Sequence, residues 1–425
     1  MHKHLGVLPL LILFSCFLFK SAPAEETLSW QDCLREAAKN HPDLLAAQES
    51  VKESQAAKQI TASTLYPQID SNLNASTART SSGTTSSISD SYAYGLSGTQ
   101  LIFDGTKTIN NVRAAAENIT AARESFKFTS ATVRFRLRSA FIDLLKSQES
   151  LRITQEIYEI RRDNLELITL RYYSGLEHKG ALLTAEADLD EAQYEISKAE
   201  REVEVARREL VKEMGRRHLA PLEVKGDFTV KDAALKKPDF EIIAKNNPSL
   251  LQLVAQKNAA EFGVRSAYAN FFPTLSGTAG ANKNGSRWTP KGNQWNLGLS
   301  LSLPIFEGGL RFAQVSQARA LLSQLQENER STKDAVVLTL EQAWAALQDA
   351  IENARVQEAY LTATQERSRI AQAQYSTGFI AFDNWTIIED NLVKAKRTLL
   401  DAQANALLTE ASWIQAKGEV LEYAQ

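Results

Sequence analysis

The side chains that do chemistry are thinly spread in this chain. Histidine stands only at 2, 4, 41, 178 and 218, cysteine at 16 and 33, and methionine at 1 and 214. A zinc site needs Cys or His in close pairs and a copper path needs clustered Met or His; neither pattern occurs. No nucleophile stands beside a base at useful spacing, and no phosphate-cradling loop or carboxylate pair stands out. The expectation is no catalysis, no cofactor and no resident metal. With 48 basic and 51 acidic residues the net charge is −3, which points to no nucleic-acid partner. Cys33 lies on a helical pattern and reads as a small buried apolar residue.

What the chain has instead is patterning. In 295–309, WNLGLSLSLPIFEGG, the apolar Trp295, Leu297, Leu299, Leu301, Leu303 and Ile305 alternate with Asn296, Gly298, Ser300 and Ser302. A period of two puts all the apolar side chains on one face of a strand. About ten alternating residues is the length of a tilted membrane-spanning strand. Beyond Gly309 there is no proline, and glycine appears only at 378 and 418, so a very long helical arm follows.

The same arrangement occurs earlier. Shifted by 203, Ile102-Phe103-Asp104-Gly105 falls on Ile305-Phe306-Glu307-Gly308, and Tyr172-Tyr173-Ser174-Gly175-Leu176 falls on Tyr375-Ser376-Thr377-Gly378-Phe379. Shifted by 206, Asn40-His41-Pro42 meets Asn246-Asn247-Pro248, and Tyr66-Pro67 meets Phe272-Pro273. One supersecondary unit is used twice.

Residues 1–24 read as an export signal: a basic start, an apolar run over 5–19 and the small-x-small site Ala22-Pro23-Ala24. Leu13-Phe14-Ser15-Cys16 partly resembles a lipoprotein box, which leaves lipidation of Cys16 as the lesser alternative. The first copy covers 25–214, with a helix, strands over 68–79 and 92–103, and a helical hairpin whose tip spans 174–180. A connector follows over 215–240. The second copy, 241–425, has a helix, strands over 274–282 and 295–306, and a hairpin with its tip at 377–383. The polar runs 80–91 and 283–294 are expected as loops in water. Tyr92 and Tyr94 share the face equivalent to the leucines, where tyrosines suit a membrane interface belt. Each long arm, at 1.5 Å per residue, would extend for about 100 Å.

Four strands per chain cannot close in lipid, because an open edge leaves backbone groups unpaired. A membrane reading therefore requires several identical chains, and the residues alone do not choose the number. The doubled pattern, with Leu-Pro-Ile-Phe-Glu-Gly-Gly and the Tyr-x-x-Gly turns, resembles the TolC family of outer-membrane efflux ducts over essentially the whole mature chain. The resemblance implies an α+β, mainly α fold: a homotrimer with a twelve-stranded outer-membrane β-barrel continuing into a twelve-helix periplasmic α-barrel. It also implies a periplasmic adaptor and an inner-membrane pump as partners, and a closed tip that opens when they bind.

By that resemblance Ser174, Gly175, Leu176, Thr377, Gly378 and Phe379 are the adaptor-docking tips. Family members often carry acidic rings six and nine residues after the second tip glycine, but here those positions are Asn384 and Ile387. Asp383 and Asp390 flank Ile387 on one helix face, so Asp383, Asn384 and Asp390 form the candidate aperture ring. In the barrel, Asn72, Asn74, Asn296, Ser300 and Ser302 should line the lumen, and Tyr92, Tyr94, Trp295, Leu297, Leu299, Leu301 and Leu303 should face lipid. The expected function is passive exit of small molecules. An exit duct for protein secretion or for a metal pump is the alternative, and a soluble periplasmic coiled-coil scaffold the remote one.

Overall fold

The computed structural model describes residues 26–218, 221–228, 230 and 236–421. The expected export signal, Cys16 and part of the connector lie outside the described residues. A short strand β1 (Glu26–Leu28) leads into helices α1 (Trp30–Asn40) and α2 (Pro42–Ser63). Strands β2 (Gln68–Ser82) and β3 (Thr85–Phe103) follow, then helices α3 (Lys107–Tyr173) and α4 (Lys179–Glu213). Strand β4 (Leu222–Val224) precedes the second copy: α5 (Phe240–Ala244), α6 (Pro248–Ala269), β5 (Thr274–Gly285), β6 (Gly292–Ser302), α7 (Leu310–Ser376) and α8 (Phe382–Ala416).

Several sequence expectations are corrected here. The run 80–91 is paired strand except at its turn, where Gly83 takes a left-handed conformation. Ser and Thr pair as well in a ladder as apolar residues do, so low apolar content hid the strand. The second hairpin turns over 286–291, with 283–285 and 292–294 in strand. Pro42 interrupts the first helix of the first copy as its position implies, and Pro248 likewise splits the helix expected over 241–270, with the preceding His41 and Asn247 as N-caps. Gly180 lies inside α4, not in the turn. The short strand β1 pairs parallel with β4.

Both α3 and α7 are 67-residue helices, about 100 Å long. Such a helix is stable only through its neighbours. Up to Leu210 the buried residues of α4, Ala181, Ala185, Ala192, Ala199, Val203, Ala206 and Leu210, recur at threes, fours and sevens, a narrow coiled-coil seam whose small side chains let it lie close to α3. The larger buried side chains gather at the middle and at one end. Leu137, Phe141, Leu210, Met214 and Leu222 form one mid-length core, joined by Cys33, whose thiol burial pushes up to about 12. Phe240, Leu340, Trp344 and Trp413 form the second copy's counterpart.

All four hairpin helices end alike. After each, a glycine with positive φ donates its N–H back to the helix while the next N–H reaches a carbonyl five residues behind: Gly175, Gly215, Gly378 and Gly418. The second and fourth also make junctions. A Cβ on Gly215 would fall 2.4 Å from the Asn40 carbonyl oxygen, and one on Gly418 would fall 2.4 Å from Pro248 Cδ. The end of α4 thus abuts the start of α2, and the end of α8 abuts the start of α6, giving two staggered rods beside α3 and α7.

At the first junction the buried His41 and Glu213 meet at 3.3 Å. The His41 Nδ1 accepts the Asp43 N–H as the cap of α2, so Nε2 carries the proton and donates to the carboxylate. That bond, with Lys212 and Arg136, holds the Glu213 carboxyl down at about 2. Its contribution is present above the ordinary carboxylate range, near pH 4.5, and is lost as pH falls toward 2.

Two measurements follow from the junction. Thermal unfolding of the assembled protein at pH 6 and pH 3 should show a smaller acid-induced drop for Glu213→Gln than for the parent. Gly215→Ala should shorten the heat-inactivation lifetime far more than Gly378→Ala, because the second incurs only the left-handed penalty of about 1–2 kcal/mol and meets nothing within 4 Å.

Candidate functional site

The most exposed large apolar side chains lie at the two ends of the chain, on and beside the sheet (Trp295, Leu297, Ile305) and at the far tips of the hairpins (Tyr173, Phe379). The sheet order is β2-β3-β5-β6, all antiparallel, so the two copies join through β3 and β5. The register sorts the side chains cleanly. Leu73 pairs with Tyr94, Ala75 with Tyr92, Ala281 with Trp295, Ala279 with Leu297, Gly277 with Leu299 and Leu275 with Leu301. Directly opposed residues share a face, so these form one apolar surface across four strands. Trp295 and Leu297 are each 79% exposed on it. A bulge at Leu101/Phe103 shifts the register at the helix-proximal end, and Ile102 lies there over Gly277.

The opposite face is small and polar, and its one charged side chain is Asp70, paired with Ser97 near the helix-proximal end of β2. Asn72 pairs with Gly95, Asn74 with Ala93, Gly280 with Asn296 and Ser276 with Ser300. Ser302 continues this face opposite Thr274. Strand β6 stops at Ser302, short of the expected 306, because Pro304 has no N–H to continue the ladder, and Leu303 lies exposed just beyond it.

At the far end, Ser174-Gly175-Leu176 and Thr377-Gly378-Phe379 occupy matching turns, with Leu176 67% and Phe379 83% exposed. Behind them lies a knot of aromatic and charged groups that spacing did not reveal. The Tyr375 ring, fully buried, stacks on Trp385 at 4.3 Å with Phe382 beside both. Arg171 lies 4.7 Å over the Tyr375 ring and donates to its backbone carbonyl at 3.2 Å. The Tyr375 hydroxyl donates to Glu177 at 2.8 Å. Burial, then the carboxylate, pushes that phenol well above its ordinary value, so it stays a donor. The one visible signal was the repeated Tyr-x-x-Gly motif, which marks Tyr375 but not its partners.

The candidate aperture residues divide. Asp383 and Asn384 are exposed in the first turn of α8. Asp390 instead takes a hydrogen bond from Arg161 at 2.5 Å, and Arg161 also lies 3.5 Å from Asp188 on α4. Asp390 is thus ion-paired within the chain while staying 56% exposed, and it shares Arg161 with Asp188. Further in, the buried Glu389 accepts from the Ser368 hydroxyl at 2.6 Å. Among the described residues no group of three His, Cys, Asp or Glu could hold a metal ion, and no helix is long and apolar enough to cross a membrane.

The model of the family described as "Outer membrane efflux protein" matches residues 33–216 and 241–422, the two copies in turn. The chain belongs to the outer membrane efflux protein family. It is 24% identical to the outer membrane efflux protein BepC of Brucella suis, over 96% of this chain and 86% of that one. It is 23% identical to the cation efflux system protein CusC of Escherichia coli K12, over 91% and 85%. Among solved structures, the CmeC outer membrane channel of Campylobacter jejuni superposes with a TM-score of 0.81 at 18% identity, covering 93% of this chain and 86% of that one. An efflux family protein with this fold is an outer-membrane channel, not an enzyme. It assembles as a trimer whose sheets close one barrel of twelve strands, four per chain, continuing into a helical tunnel.

The tip geometry predicts a specific outcome. Tyr375→Phe keeps the stacking on Trp385 but leaves the Glu177 carboxylate short of a donor, a loss of about 1.5–3 kcal/mol per chain. Single-channel recording in planar bilayers should show higher mean conductance than the parent, whereas Tyr360→Phe, on the exposed surface of α7, should not differ.

Proposed function

We propose that the protein is the outer-membrane exit duct of a tripartite efflux system, passively conducting small molecules that an inner-membrane pump delivers. It works with a periplasmic adaptor, which docks on the two tip turns at Ser174, Gly175, Leu176, Thr377, Gly378 and Phe379. The observation that carries this reading is the union, in one chain, of a sheet with an outward apolar face and helical arms about 100 Å long. Tyr92, Tyr94, Trp295, Leu297, Leu299 and Leu301 face lipid, and Asn72, Asn74, Asn296, Ser300 and Ser302 line the lumen. The lumen face, rich in Asn, Ser and Gly with Asp70 its one charged residue per chain, supports passage of chemically varied cargo, since it offers hydrogen bonds with few fixed charges. Asp383 and Asn384 form the narrowing beside the tip.

The exposed Leu176 and Phe379 support the docking role, because large apolar side chains at a tip otherwise bathed in water mark an interaction surface. In the described part of the connector, Phe228 and Val230 pack at mid-length against Ile142 and Leu407.

The test is export in the native cells. Deleting the gene should raise accumulation of a panel of small toxic compounds, and the parent gene should restore export. Leu176→Asp with Phe379→Asp should match the deletion while leaving the trimer level in the outer membrane unchanged. Undiminished export by that double variant would remove the tips from the mechanism, and failure of a secreted protein to leave the cell, with small molecules unaffected, would replace the small-molecule cargo.

A further inference from the structure

The charges of the sheet are unevenly placed. Across 68–103 and 274–306 the cations are Arg79, Lys283, Arg287 and Lys291, and the carboxylates are Asp70 and Asp90. All four cations lie toward the hairpin turns, the end away from the helices. Lys283 is in register with Tyr94 and Asn293, which puts it on the apolar face that carries Trp295. Arg79 is opposite Ile88 on the same face, farther out along β2. Arg287 and Lys291 belong to the turn over 286–291, with Trp288, whose ring packs edge-on against Tyr92 at 5.7 Å.

All four cations are exposed, and among the described residues none forms an ion pair. The helices behave differently: Arg161, Arg216, Lys257 and Lys396 each reach a carboxylate within 3 Å. Asp90, which accepts from Thr77 on the same face as Arg79, moderates the charge on the first hairpin. The turn between β5 and β6 has no such acid.

Position decides what these cations meet. A lysine on the lipid-facing side of a barrel costs about 2–4 kcal/mol at the bilayer midplane but about 0–1 near the interface. Lys283 therefore belongs at headgroup level, the level that Tyr92, Tyr94, Trp288 and Trp295 also mark. Because the helices occupy the periplasmic side, this is the outer leaflet. An unpaired cluster there is satisfied by anions from outside the chain.

We propose that Lys283, Arg287 and Lys291, assisted by Arg79, form a binding site for the phosphorylated glycolipid headgroup of the outer leaflet, with Trp288 and Tyr92 against its sugar. Several cations within nine positions suit a headgroup with more than one phosphate. The site rests on the outer-membrane placement and is independent of the tips, so loss of lipid binding and loss of export are separable results.

The test uses the purified trimer in non-ionic detergent, titrated with bisphosphorylated lipid A and followed by native mass spectrometry and by tryptophan fluorescence. Lipid A should be retained saturably, and at least tenfold more weakly by the combined variant Lys283→Gln, Arg287→Gln and Lys291→Gln. The unaltered trimer should retain phosphate-free lipid A and phosphatidylglycerol at least tenfold more weakly, an arm that needs no variant to fold. Equal retention by the variant, of phosphate-free lipid A, or of phosphatidylglycerol would overturn the assignment.

Discussion

Hydrogen bonds that one chain cannot make for itself govern this structure. Strands β2 and β6 are each paired on one side only, leaving rows of donors and acceptors along edges of 15 and 11 residues. In hydrocarbon each unpaired backbone group costs several kcal/mol, so no packing elsewhere in a lone chain can offset two open edges. Closure by identical chains is therefore a condition of insertion. Barrel formation and trimer assembly are one event, and the apolar face is usable only once the ring is shut.

The helical half answers a different requirement. A helix of 67 residues is far too long to be held by a globular core, and the buried groups are accordingly strung along its length as a thin seam. The few dense cores sit where rods end and must be fastened: at the junctions of α4 with α2 and α8 with α6, and behind the tips. Polar links do part of that fastening across elements distant in sequence. Glu213 meets His41 at one junction, Asn247 donates to the Ala416 carbonyl at the other, and Arg161 ties α3 to α4 and α8.

Most of this architecture was legible in the sequence, for physical reasons. Long stretches without proline or glycine admit little except helix, and strict alternation over 295–303 admits little except strand. The duplication located the turns twice over, and the family match runs through both copies. Three things were hidden. The strand β1 is only three residues long and acquires its structure from β4, almost two hundred residues away. The Ser/Thr-rich part of the first hairpin has almost no apolar face to announce it, Ile88 standing alone there among small polar residues and Arg79. The pairing of Asp390 with Arg161 depends on how three helices pack, which no local spacing encodes.

The four helix-ending glycines share a backbone conformation but not a neighbourhood. Those at the junctions are wedged against the chain itself, so any side chain there collides with the frame. Those at the tips, Gly175 and Gly378, look out on open space. The end of the molecule proposed to meet other proteins is thus an end where a glycine Cβ would meet nothing. The exposed side chains of Leu176 and Phe379 can therefore be exchanged without disturbing the rods and barrel behind them, whereas the glycines and Glu177 beside them are held by the fold.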